Sequence, residues 1–130
     1  MPKRILSIDD SKMVHMVIVR TLKPYKVEVL TAFNGQEGVN QAHQERPDLI
    51  ILDTTMPVMD GYEALLLLKA SEATKHIPVV MLSADAGAAS TERAIQAGAA
   101  KFITKPFNSD SLLLALPEFL ALEPRLLEAV

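Results

Sequence analysis

With 130 residues, 49% hydrophobic and 22% charged, the chain has enough apolar material to build the core of one domain. A net charge of −3 with no basic stripe removes the electrostatic case for direct binding to nucleic acid or an anionic membrane. The absence of cysteine excludes disulfides, thiolate metal sites and thiol nucleophiles, and it suits a reducing, cytoplasmic setting. Aliphatic runs such as Leu65-Leu66-Leu67-Leu68 are far too short to span a bilayer, and Met1-Pro2-Lys3-Arg4 leads into a strand rather than a signal segment.

The first short apolar run, Ile5 to Ile8, ends on Asp9-Asp10. Ser11 can cap a helix that reaches about Lys23, where Pro24 stops it. The second run, Val27 to Leu30, leads into Thr31-Ala32-Phe33-Asn34-Gly35 instead of a charged group, which puts that strand at an edge. A polar second helix carrying His43 follows, and then Leu49 to Leu52 ends on Asp53. Asp60 can cap a third helix running through Ala70. Val79 to Leu82 ends on Ser83, and a fourth helix, with the small residues Ala86, Gly87, Ala88 and Ala89, stops at Gly98. The fifth run, Phe102 to Thr104, delivers Lys105-Pro106. Asn108 or Ser109 can start a fifth helix, which must kink or end near Leu116 because Pro117 has no N–H for the Leu113 carbonyl.

Apolar runs that are continuous rather than alternating indicate strands covered on both faces. Five of them separated by helices predict an α/β fold, a doubly wound five-stranded parallel sheet in three α/β/α layers. In such a sheet all strand carboxyl ends share one edge, where ligands bind. Four of the five runs deliver a polar group there: Asp9 and Asp10, Asp53, Ser83 and Lys105. Taken singly, each has a plain explanation as a helix cap, turn residue, loop hydroxyl or solvated charge. Together they do not, because three clustered carboxylates repel unless a cation neutralises them. Hard oxygen ligands without imidazole or thiolate point to Mg²⁺, and a carboxylate beside a metal, a hydroxyl and an ammonium can cradle a phosphoryl group.

The stretches Ile8-Asp9-Asp10, Leu52-Asp53-Thr54-Thr55-Met56-Pro57-Val58-Met59-Asp60-Gly61, Met81-Leu82-Ser83-Ala84 and Lys105-Pro106-Phe107, four motifs in order over residues 3 to about 120, resemble the receiver domains of bacterial response regulators. These form the CheY-like superfamily of two-component systems. The resemblance implies the (βα)5 flavodoxin-like strand order 2-1-3-4-5, with residues 1–122 as the receiver and 123–130 as a C-terminal tail or linker stump. It implies that Asp53 is the phosphorylation site, taking phosphoryl from a histidine kinase or phosphotransfer protein. Asp10 and Asp53 would hold Mg²⁺ through their carboxylates, Thr55 through its backbone carbonyl and Asp9 largely through water. Lys105 would pair with the phosphoryl oxygens, and its bond to Pro106 would be cis. Ser83 would hydrogen-bond the phosphoryl group, and Phe102 stands at the aromatic switch position. The signal would leave through the fourth helix, fifth strand and start of the fifth helix, toward an output partner of unknown identity or a second copy of the chain. Such a receiver catalyses only its own phosphorylation and dephosphorylation.

A haloacid-dehalogenase-like Mg²⁺-dependent phosphatase also uses an aspartate after an apolar strand, but its signature carries a second aspartate two residues on, where this chain has Thr55. A flavodoxin-like flavin binder would find its phosphate facing Asp9-Asp10. Thr54 stands where the resembled family more often has a large aliphatic residue and is expected to touch no catalytic atom, while Thr55 and Asp85 fall at variable positions. His15, His43 and His76 have no metal-ligand spacing and read as structural or surface residues. Gly35 and Gly38 lack the pattern of a phosphate loop. The leucines from Leu112 to Leu120 either pack on the sheet or form a partner face, and Pro124 could begin a last short helix.

Overall fold

The computed structural model describes residues 2–84 and 87–125. Five strands, β1 (Lys3–Ile8), β2 (Val27–Ala32), β3 (Leu49–Asp53), β4 (Val79–Ser83) and β5 (Lys101–Thr104), alternate with five helices. The helices are α1 (Lys12–Leu22), α2 (Gly35–Glu45), α3 (Gly61–Ala70), α4 (Ala88–Gln96) and α5 (Ser109–Ala115). All strand pairs are parallel, in the order β2-β1-β3-β4-β5. The second strand therefore sits at an edge, as its uncharged end suggested.

The central strands β1, β3 and β4 bury both faces, which is why their apolar runs do not alternate, while the edge strands β2 and β5 are only partly covered. Leu6, Ile8, Ile50, Leu52, Val79 and Met81 pack with Val39 and Ala42 of α2, Leu65 and Leu68 of α3, and Ala94 of α4. Ile5, Leu49, Ile51, Val80 and Leu82 pack with Ile18 and Leu22 of α1 and Leu112 of α5. Gly38 serves this packing rather than a phosphate, because a Cβ there would collide with the Ile8 side chain.

Side-chain oxygens placed by the sequence start four of the helices. Ser11, Asn34, Asp60 and Asn108 accept from the backbone N–H groups of Val14, Glu37, Glu63 and Ser111. The fourth helix ends with Gly98 at φ +109, and α5 gives way at Leu116 to a 3₁₀ turn over Leu116–Glu118 that contains Pro117. Ala86 lies outside the described residues, and so do Asp85 and residues 126–130, where the last short helix was expected. Pro124 itself forms an antiparallel bridge with Tyr25, and the Arg125 amide donates to the Pro24 carbonyl at 2.8 Å. No helix among the described residues is long and apolar enough to cross a membrane.

Candidate functional site

The carboxyl ends of β1, β3, β4 and β5 converge on one edge of the sheet, and side-chain parity decides what each end presents. Successive side chains along a strand point to opposite faces. Asp9 follows Ile5 and Ser7, Asp53 follows Leu49 and Ile51, and Lys105 follows Ile103, all on the face covered by α1 and α5. Ser83 follows Val79 and Met81 onto the opposite face, toward α3 and α4.

The charged trio is tightly connected. Lys105 Nζ donates to Asp9 Oδ2 and to Asp53 Oδ1, each at 3.0 Å. Asp9 and Asp53 are nearly inaccessible, at 1% and 4% exposure, whereas Asp10 is exposed. Asp9 Oδ1 accepts from the Ser11 amide at 2.9 Å, so both of its oxygens have protein partners. One ligand oxygen from each of Asp9, Asp10 and Asp53 can be chosen so that all three lie within 4.8 Å of one another. The expected three-carboxylate cluster is therefore formed.

Burial pushes the Asp53 carboxyl above its ordinary 3.8, and the charge of Asp9 adds to this, while Lys105 and the Thr55 backbone N–H pull the other way without cancelling it. For Lys105 burial is the largest single influence and lowers the ammonium, but the bonds and charges of Asp9 and Asp53 outweigh it and hold it above 10.5. Two buried acids and one lysine thus leave a carboxylate that is costly to ionise.

The turn after β3 explains the Pro57-to-Gly61 spacing. The Gly61 amide donates to the Thr54 carbonyl at 2.9 Å, and a Cβ at Gly61 would collide with the Asp53 carbonyl. Only glycine lets α3 begin against the strand end that carries Asp53. The Lys105-Pro106 peptide is cis, and the Lys105 amide donates to the Ser83 carbonyl at 2.7 Å. Phe102 is half-buried against the α3–α4 side of the core.

Two residues have more to do here than the sequence reading allowed. Thr54 was expected to touch no catalytic atom; its Oγ1 donates at 3.0 Å to the Oγ of Ser83, one of the candidate site residues. The reason is register: Asp53 pairs with Leu82, so Thr54 lies beside Ser83. His15 has the structural part expected of it, but at the foot of the site. Its Nε2 lies 2.7 Å from the Asp9 carbonyl and 3.1 Å from that of Ala32, its Nδ1 lies 2.9 Å from Ser7 Oγ, and Phe33 meets its ring edge-on. A histidine six residues after Asp9, one helical turn past the Ser11 cap, was the available signal. His43 and His76 are exposed.

The family described as "Response regulator receiver domain" matches residues 5–117. The chain belongs to this family. A receiver domain of this kind is a phosphoacceptor of two-component signalling, and the phosphatase alternative gains no support. The chain is similar to the chemotaxis protein CheY of Bacillus subtilis, 40% identical over 117 residues, which cover 89% of this chain and 96% of that one. It is also 44% identical over 106 residues to a protein-glutamate methylesterase/protein-glutamine glutaminase of Archaeoglobus fulgidus, but those residues are 79% of this chain and only 30% of that protein. The receiver domain of a sensor histidine kinase from Pseudomonas aeruginosa PAO1, solved with a magnesium ion coordinated in its active site cleft, superposes with a TM-score of 0.83 at 29% identity, covering 92% of this chain and 98% of that one. Receiver domains thus hold Mg²⁺ in an acidic cleft, and this receiver has the corresponding aspartate cluster.

Proposed function

We propose that Asp53 is the residue that accepts the phosphoryl group, from a histidine kinase or a phosphotransfer protein, in a cytoplasmic signalling relay. The observation that carries this reading is the Lys105 ammonium bridging two buried carboxylates at the carboxyl edge of a parallel sheet, with Asp10 beside them. An Asp53 carboxylate oxygen attacks the phosphorus, the bond from phosphorus to the donor imidazole nitrogen breaks, and its electron pair leaves with that nitrogen. The reaction needs alignment and neutralised equatorial oxygens more than covalent assistance. Lys105, already within hydrogen-bond distance of Asp53, is positioned to pair with those oxygens.

The donor set fits a hard divalent cation, since it offers carboxylate oxygens and, among the described residues, no imidazole or thiolate in the cluster. Asp10 and Asp53 would hold Mg²⁺ directly, with the Thr55 carbonyl, and Asp9 would act mainly through water because its oxygens are engaged by Ser11 and Lys105. When bound, the ion would supply positive charge to offset the carboxylates and the phosphoryl oxygens.

Beside Lys105 runs an apolar groove of about 410 Å³ lined by Met13, Val14, Val17, Pro106 and Phe107. Met13 in it is 69% exposed, which supports a protein rather than a small molecule as the natural phosphodonor. The output surface in this reading is α4, β5 and the start of α5, answering to Ser83 and Phe102 and taking an output partner or a second copy of the chain. Residues 1–122 make up the receiver unit, which turns over no substrate beyond its own acylphosphate.

The test is intact mass after incubation with a small phosphodonor and Mg²⁺. A gain of one phosphate, about 80 Da, is expected for the wild-type chain and none for Asp53→Asn. An equal gain in Asp53→Asn would overturn the assignment.

A further inference from the structure

Thr54 and Ser83 are neighbours at the end of the β3–β4 ladder. Asp53 is registered with Leu82, and the Thr54 amide donates to the Leu82 carbonyl at 3.0 Å, so Thr54 and Ser83 form the next pair. Their side chains point toward α3 and α4, on the face opposite to that of Asp53. Both are buried, at 6% and 2% exposure, and the Thr54 hydroxyl donates to the Ser83 hydroxyl at 3.0 Å. Phe102, registered with Met81 on the adjacent strand, packs on that same side.

We propose that Thr54 is a positioning residue whose hydroxyl holds Ser83 on the α3–α4 side in the resting protein and so opposes the phosphorylation switch. The proposal rests on the reading of Asp53 as phosphoacceptor and of Ser83 as the hydroxyl drawn to the phosphoryl group. For Ser83 to move toward Asp53, it must withdraw the oxygen to which Thr54 donates. Thr54 is then left with a buried hydroxyl that has lost its acceptor, which disfavours the switched state. An aliphatic side chain at position 54 exerts no such hold, since it has no donor to strand. The threonine thus sets how far the resting equilibrium lies from the switched one, without touching the phosphoryl group.

The experiment is an NMR titration of the full chain with beryllofluoride and Mg²⁺, a phosphoryl mimic that reads the switch without chemical turnover. Thr54→Val, which keeps the shape and removes the hydroxyl, should bind the mimic more tightly by about five-fold, the scale of one neutral hydrogen bond. Thr54→Ala should shift in the same direction, and Thr54→Ser should restore the wild-type affinity. Without ligand, the Phe102 resonances of Thr54→Val should move part of the way toward their beryllofluoride-bound positions, a change that loss of a merely structural contact would not produce. In a Ser83→Ala background the Thr54→Val effect should vanish. Equal or weaker binding by Thr54→Val, or tightening that persists in Ser83→Ala, would overturn the proposal alone. Failure of the wild-type chain to take up beryllofluoride would overturn the phosphoacceptor reading, and this proposal with it.

Discussion

Asp53 sits where its charge is least welcome. Burial and the neighbouring Asp9 raise its pKa, so the folded chain holds the Asp53 proton more tightly than the unfolded chain does. Its contribution to stability is fully present below 3.8, the ordinary value, and is lost as pH rises through the raised folded value. Lys105 is raised as well, so the stabilisation from its bonds is present throughout that range and disappears only in alkali, above 10.5. In metal-free buffer at pH 7, Asp53→Asn should therefore raise the melting temperature by a few degrees while still accepting a hydrogen bond from Lys105, and the gain should shrink toward pH 4. Asp10→Asn should gain less, because Asp10 is exposed. Thermal melts of both variants against pH check this, and a lower melting temperature for Asp53→Asn at pH 7 would contradict it. The acids, Ser83 and Lys105 were legible because each ends an apolar run, and the end of a buried parallel strand can lie only at the rim of the sheet. The part played by Thr54 was not, since its contact depends on the register of β3 against β4, which a single sequence does not encode.

At the scale of elements, the fifth helix is the informative one. Its leucines read as a uniform apolar block in the sequence, but the helix divides them: Leu112 is fully buried against the α1 side of the sheet, while Leu114 is 82% exposed. Leu112→Ala should cost about 3 kcal/mol, the usual loss for a leucine in a closed core. Leu114→Ala should stay within about 0.5 kcal/mol of the parent, as surface substitutions do. Denaturant unfolding of the two variants tests the division, and similar losses would mean that Leu114 is covered by something in solution. Helix ends were easier to read than helix faces. Ser11, Asp60 and Asn108 carry their caps in their own side chains, and Pro117 announces where α5 must change course. The face that a short run of leucines turns inward depends on the neighbours, Ile18 and Leu22 of α1 among them, and these lie far away in sequence.

At the scale of the whole molecule, the parallel sheet converts four unrelated strand ends into one site. Two buried faces on the central strands made the layered architecture readable from continuous apolar runs, and the edge position of β2 followed from its lack of a charged end. What the sheet adds is the separation of labour by face: the charges of Asp9, Asp53 and Lys105 lie on one side, and the hydroxyls of Thr54 and Ser83 with Phe102 lie on the other. The central claim, that Asp53 receives the phosphoryl group, is tested most directly by trapping. After phosphorylation by a small phosphodonor with Mg²⁺, borohydride reduction converts an aspartyl phosphate to homoserine, and peptide sequencing by mass spectrometry reads its position. The account predicts homoserine at position 53 and at no other. Homoserine at position 9 or 10, or a phosphate on Ser83 that resists hydroxylamine and borohydride, would contradict it.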